Sequence, residues 1–194
     1  TTIVLAHMGN SENSQDDWLV LVPRLVAKGF TVLTYNRRGV CSDDGECSGP
    51  APIGYGNVWK DVVGAVSFAH ARGAAKVIGG GASIGAMSSL YAVLAEHIEV
   101  AGLMWIAGLV NDQGYSFEAG QVAALGVPIL IVSAVDDRSG AGDDAQQLYD
   151  WASEPKSLVM IPGRWHGTEV WTIDDVSAQR ALEDAILDFV ALYG

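Results

Sequence analysis

The chain of 194 residues is short of several things at once. It has two cysteines, Cys41 and Cys47, too few for a disulfide scaffold and without the spacing of a zinc site. Its longest apolar runs, at 102–110 and 127–132, stop well below the roughly 18–20 residues of a membrane span, so no span is expected. Positive charge is scarce: 11 Lys and Arg face 23 Asp and Glu, for a net charge of −12 at pH 7. A surface of that sign repels phosphate backbones, so nucleic acid is not an expected partner. Charged residues make up 18% and hydrophobic ones 49%, a globular mix that excludes disorder, collagen and coiled coil. No repeat, low-complexity tract or Pro/Ser linker divides the chain, which reads as one domain over 1–194. No charged-then-apolar leader precedes the first strand, and the compartment, cytoplasmic or secreted, stays open.

What is there is an alternation. Short β-branched runs at 2–6, 31–35, 76–80, 100–107, 128–134 and 157–161 read as strands, most of them continuously apolar, as strands covered on both faces must be. Amphipathic segments lie between them. Trp18, Leu21, Val22, Leu25 and Val26 mark one, with Pro23 placed in its first turn and Gly29 closing it. Val58, Trp59, Val62, Val63 and Val66 mark another, stopped by Gly73, and further helices are expected over 84–96, 143–152 and 174–192. Strand–helix–strand in this order predicts an α/β fold: an open, mostly parallel sheet of about six strands with helices on both faces. Ligands of such sheets bind beyond the carboxyl ends of the strands, so chemistry is sought there.

Directly after the strand at 76–80, and directly before a helix, stands Gly81-Ala82-Ser83-Ile84-Gly85. In that context G-x-S-x-G is a nucleophile turn, which lifts a serine hydroxyl above the sheet. Ser83 then opens a helix, and the amide of Ile84 is aimed at a developing oxyanion. A plain helix cap would account for the serine but not for its two glycines. The nucleophile needs a base. His70 and His97 fall near helix ends and read as solvated, and His7 belongs to the loop after the first strand. His166, in Pro162-Gly163-Arg164-Trp165-His166-Gly167, follows the last strand and satisfies the order Ser…Asp…His. The acid should follow the strand at 128–134, where both Asp136 and Asp137 stand; Asp112 is a weaker third. Met8 or Gly9, after the first strand, would supply the second oxyanion amide. Trp165, next to the base, is expected as a wall of the pocket.

Five segments carry a resemblance to the α/β-hydrolase superfamily, which spans essentially the whole chain: Leu5-Ala6-His7-Met8-Gly9, Asn36-Arg37-Arg38-Gly39, Gly81-Ala82-Ser83-Ile84-Gly85, Asp137 and His166-Gly167. In that superfamily the acid usually lies nine residues beyond a proline opening the penultimate strand, and counting from Pro128 selects Asp137 over Asp136. Arg38-Gly39-Val40-Cys41-Ser42 looks like its R-G-x-G-x-S loop with cysteine at the second glycine, and His7-Met8 replaces the usual His-Gly. The usual leading strands are missing, and only residues 109–127 separate two consecutive strands where a lid is normally inserted. The resemblance implies a minimal fold with no cap domain.

The reading that follows is a serine hydrolase, a carboxylesterase of small esters, working through an acyl-enzyme on Ser83, His166 and Asp137 without cofactor or metal. Ile84, Gly9, Met8 and Trp165 are the expected oxyanion and substrate contacts. A thioesterase, a lactonase, a small-peptide hydrolase or a non-catalytic binding module on the same scaffold are the alternatives. A dinucleotide site is excluded, because Gly79 and Gly81 lack the third glycine, Ile84 standing in its place. Asp43, Asp44 and Glu46 read as a solvated turn rather than a cation site. Gly45 would let the chain turn back so that Cys41 and Cys47 meet; two free thiols are equally compatible with the sequence.

Overall fold

The computed structural model describes residues 1–10, 12–41, 45–51 and 54–194, so Ser42, Asp43 and Asp44, between the two cysteines, lie outside the described residues. Six strands form the main sheet: β1 (Thr2–Ala6), β2 (Thr31–Tyr35), β3 (Val77–Ala82), β4 (Gly102–Ile106), β7 (Ile129–Ala134) and β8 (Lys156–Ile161). Their order is β2-β1-β3-β4-β7-β8 and every pairing is parallel. Side chains alternate across this sheet. Ile3, Leu5, Ile78, Met104, Ile106, Leu130 and Val132 face one side, where they pack with α1 (Val22–Ala27) and α6 (Val176–Tyr193). Val4, Val77, Leu103, Trp105, Ile129 and Ile131 face the other, under α2 (Trp59–Ala71), α3 (Ile84–Glu96), α4 (Ala119–Ala123) and α5 (Ala141–Trp151). This two-sided burial is why the four inner strands, β1, β3, β4 and β7, read as apolar runs without polar alternation.

Local signals set most ends. Pro23 sits in the first turn of α1, where its missing N–H has no helical partner to lose. Gly73 follows α2 with φ 92°, a conformation other residues adopt at a cost. Asp175 caps α6, its carboxylate accepting from the N–H groups of Ser177 and Ala178 at 3.0 Å each. The segment from Trp18 to Val26 is not one helix. It divides into a 3-10 turn, Gln15–Trp18, and α1, while Trp18, Leu21 and Leu25 still share one buried cluster.

The connection 109–127 holds more than loop. A hairpin of β5 (Asn111–Asp112) and β6 (Tyr115–Ser116) turns at Gln113 and Gly114, both with positive φ (52° and 88°), and α4 follows. Neither element adds to the main sheet. Cys41 and Cys47 are joined in a disulfide, so the bridged alternative is the one present.

Candidate active site

Three glycines around the serine explain why its turn can form where it does. A Cβ on Gly80 would press within 2.7 Å of the Met104 Cβ, and one on Gly81 or Gly85 would run into the carbonyl of Ala6. The glycines are therefore needed for close backbone approach between β3, its neighbours β1 and β4, and α3. The unusual backbone belongs to Ser83 itself, with φ 53° and ψ −120°, the strained turn that projects a side chain above the sheet. Its N–H is anchored on the Ile106 carbonyl at 2.9 Å, and its own carbonyl accepts from Met87 at 3.1 Å.

The loops after β7 and β8 bring two further groups to this serine. Ser83 Oγ lies 2.8 Å from Nε2 of His166. Nδ1 of the same ring stands 2.9 Å and 3.1 Å from the two carboxylate oxygens of Asp137. The Asp137 side chain is fully buried and that of His166 is 12% exposed. Asp137 Oδ1 also accepts from the Ser139 N–H at 2.7 Å, which fixes the carboxylate plane. Asp136 is exposed, and Asp112 lies in the hairpin without contact to the imidazole. Gly167, with φ 55°, lets the chain leave His166 against Met8, where a Cβ would strike the Met8 sulfur.

Glu169 ties His166 from behind. Its Oε2 accepts from the backbone N–H of His166 at 3.0 Å, and its Oε1 accepts from Arg138. The Arg138–Glu169 pair thereby joins the loop of Asp137 to the loop of His166.

A cleft of about 510 Å³ opens over Ser83 and His166. Its apolar wall comes from Met8, Ile84, Met87, Leu109 and Tyr55; Asn10, Asn13, Asp112, Gln113, Arg138, Ser139 and Glu169 form the polar remainder. Met8, Gly9 and Ile84, expected at the site from the sequence, line this cleft. Trp165 does not. It is buried at 3% exposure among the core side chains on the α1 and α6 face. His166 has extended backbone, φ −117° and ψ 122°, in which neighbouring side chains leave on opposite sides. Sequence adjacency to His166 therefore places Trp165 away from the cleft. The contribution of Tyr55, Asp112 and Gln113 is hidden in the sequence, because they reach the cleft from a 3-10 turn and a hairpin too short to have a periodic signal.

The loop after β1 contains a second histidine in a very different state. His7 is 2% exposed, its Nδ1 donates to the Met8 carbonyl at 2.8 Å, and its Nε2 accepts from the Arg37 N–H at 3.2 Å. Burial, followed by the charge of Arg37, lowers its pKa from 6.5 to about 4. The unfolded chain takes up this proton near pH 6.5 and the folded chain only near pH 4, so stability is lost as pH falls through that window. The loss should approach about 3 kcal/mol and level off below it. Urea unfolding at pH 7 and pH 4.5 checks this, with a His7→Asn chain lacking that share of the slope. Equal slopes in the two proteins would contradict the assignment.

In sequence, the chain matches no family model and no curated protein. In structure it is similar to many. A monoacylglycerol lipase of Paleococcus ferrophilus superposes with a TM-score of 0.79 at 12% identity, covering 100% of this chain and 95% of that one. A thermophilic esterase of Thermogutta terrifontis gives 0.76 at 14% identity, over 99% and 90% of the two chains. A bromoperoxidase of Bacillus anthracis gives 0.75 at 14% identity, over 98% and 92%. Likeness at this level of identity is a statement about architecture: the chain has the α/β-hydrolase fold.

Proposed function

We propose that residues 1–194 form a single hydrolase domain that cleaves small carboxylic esters through an acyl-enzyme on Ser83. The observation that carries this reading is the unbroken line from Ser83 Oγ to His166 at 2.8 Å and from His166 to Asp137 at 2.9 Å. In this mechanism Nε2 of His166 takes the proton as Ser83 Oγ attacks the ester carbonyl, and returns it to the departing alcohol. Asp137 holds the Nδ1–H tautomer and stabilises the imidazolium. Water then repeats the sequence on the acyl-enzyme. The oxyanion is received by the N–H of Ile84 and by that of Gly9 or Met8. Among the described residues, no protein group accepts from any of these three amides. Esterases and lipases among the proteins of this fold support ester hydrolysis in general terms. A small neutral ester is also the kind of substrate a chain of net charge −12 does not repel. A non-catalytic module gives no reason for a strained serine hydrogen-bonded to a histidine.

Labelling with a serine-reactive fluorophosphonate, mapped by peptide mass, tests the reading. The adduct should sit on Ser83; an unlabelled native protein would overturn it. A thioester, lactone or peptide panel run beside nitrophenyl esters separates the reactions that the same three residues support.

Chain-length preference follows from the cleft. Between β4 and β7 the described residues supply only a short hairpin and α4, too little to cover a long acyl chain. Soluble acetate and butyrate esters should therefore turn over faster than long-chain triglyceride emulsions, with no activation at the lipid interface. The opposite ranking in a pH-stat assay would refute this.

A further inference from the structure

Resting on that hydrolase reading, we infer that Gly9, not Met8, is the second oxyanion donor, and that Arg37 and Tyr55 are positioning residues that fix its backbone by clamping its carbonyl. A peptide unit is planar, and the N–H of one residue points opposite to the carbonyl of the residue before it. The His7 carbonyl is turned toward α3: a Cβ on Gly85 would lie 2.8 Å from it. The N–H of Met8 consequently points away from the serine turn. The next carbonyl, that of Met8, is held by the buried ring of His7 at 2.8 Å. The N–H of Gly9 therefore points away from that ring and out of the core. Gly9 itself rests on the residue after the nucleophile, since a Cβ there would lie 3.2 Å from Ile84 Cγ2.

One tautomer of His7 satisfies both of its contacts. Nε2 must be bare to accept from the Arg37 N–H, so Nδ1 carries the proton given to Met8. The neutral form is maintained to about pH 4 by burial and by the charge of Arg37.

The second fixed plane is that of Gly9 and Asn10. The Gly9 carbonyl accepts from Arg37 Nη2 at 2.7 Å and from the hydroxyl of Tyr55, and the Asn10 carbonyl accepts from the same guanidinium at 3.2 Å. With the planes on either side of its Cα both pinned, Gly9 loses the freedom that glycine otherwise has. Arg37 arrives from the end of β2, and Tyr55 from the 3-10 turn Tyr55–Asn57. Their groups stack, the guanidinium carbon 5.2 Å from the ring centroid. Tyr55 is held in turn by Tyr115 of the hairpin, whose hydroxyl donates to the Tyr55 carbonyl and accepts from the Trp59 N–H, both at 3.1 Å.

Arg37 is an unusual residue on stability grounds. It is 9% exposed, its Nε is buried without a partner, and among the described residues no carboxylate pairs with it. A buried guanidinium without a counter-ion is unfavourable for the fold. Its side-chain hydrogen bonds go to two carbonyls of the loop that would face the substrate. Preorganised donors beside a developing oxyanion are where such an arrangement raises rate, because the geometry is set before the charge appears.

The test compares the native protein, Tyr55→Phe, Arg37→Lys and the double variant on a soluble nitrophenyl butyrate. It adds the inhibition constant of an alkyl boronic acid, which forms a tetrahedral adduct on serine. Removing one neutral hydrogen bond from the clamp should lower kcat about tenfold in Tyr55→Phe, with KM within about twofold. Boronate affinity should fall by the same factor as kcat/KM, since both report tetrahedral complementarity. Arg37→Lys keeps the charge but loses the forked donors and should be the weaker enzyme of the two. If Arg37→Lys fails to fold, Tyr55→Phe decides alone, because it deletes one oxygen from a half-buried ring. Unchanged kcat and boronate affinity in Tyr55→Phe, or a rise in KM alone, would overturn the clamp. An inert native protein that no phosphonate labels would overturn the hydrolase reading, and the clamp with it. An active native protein with an indifferent Tyr55→Phe removes only the clamp.

Discussion

Ser83→Ala should lower ester turnover by about a millionfold, the scale on which a triad nucleophile is lost. The side-chain oxygen is removed from the one place where it meets His166. Everything that shapes the turn remains, since the bonds of Ser83 to Ile106 and Met87 are made by its backbone. Serine and alanine also bear a positive φ at similar cost, so the thermal midpoint should hardly change. Fluorophosphonate labelling and nitrophenyl ester turnover should vanish together. Near-native turnover in a correctly folded Ser83→Ala protein would remove the mechanism.

The next largest effect is expected at Asp137, the proposed acid, and there two neighbours give opposite outcomes. Asp137→Asn should cost about 10⁴-fold in kcat, because an amide presents its NH₂ to Nδ1 and favours the tautomer that cannot accept the serine proton. The Ser139 N–H can still be satisfied by the amide oxygen, so the loss is one of chemistry more than of fold. Asp136→Asn should leave kcat within about twofold, since its side chain is exposed and the residue is anchored through its backbone N–H on Gly163 at 3.0 Å. Steady-state kinetics of the two variants decide between them. The reverse ranking would transfer the role to Asp136.

These residues are legible in the sequence for a physical reason. Strands buried on both faces must be apolar, so β1, buried at every position, stands out in the sequence at its full length. A serine between two glycines, where a strand passes directly into a helix, is what a nucleophile turn requires. The parts that are not legible owe their form to distant contacts. Gly79-Gly80-Gly81 suggests the end of a strand, and the strand expected at 76–80 in fact continues to Ala82, because β1 and β4 come too close for side chains there. The hairpin β5–β6 has two residues per strand and exists because Tyr115 is buried and bonded to Tyr55 and Trp59. Glu169 cannot be picked out from other acids without knowing that a 3-10 turn returns it to the His166 amide. Trp165 shows the limit of adjacency: one residue along an extended backbone is the other side of the chain.

The hairpin has a bearing on how such a chain diversifies. Its turn, Gln113–Gly114, rests on Gly56 and belongs to a connection that contributes nothing to the main sheet, yet Leu109, Asp112 and Gln113 all border the cleft. At the opposite extreme, Gly81 and Gly85 admit no side chain at all, because the backbone of β1 occupies the space. On the proposed hydrolase reading, the chemistry and the contacts to substrate thus fall on separate stretches of the chain. Side chains at Leu109, Asp112 and Gln113 can change without touching the main sheet, while the strand and helix that hold Ser83 stay under the strictest steric selection.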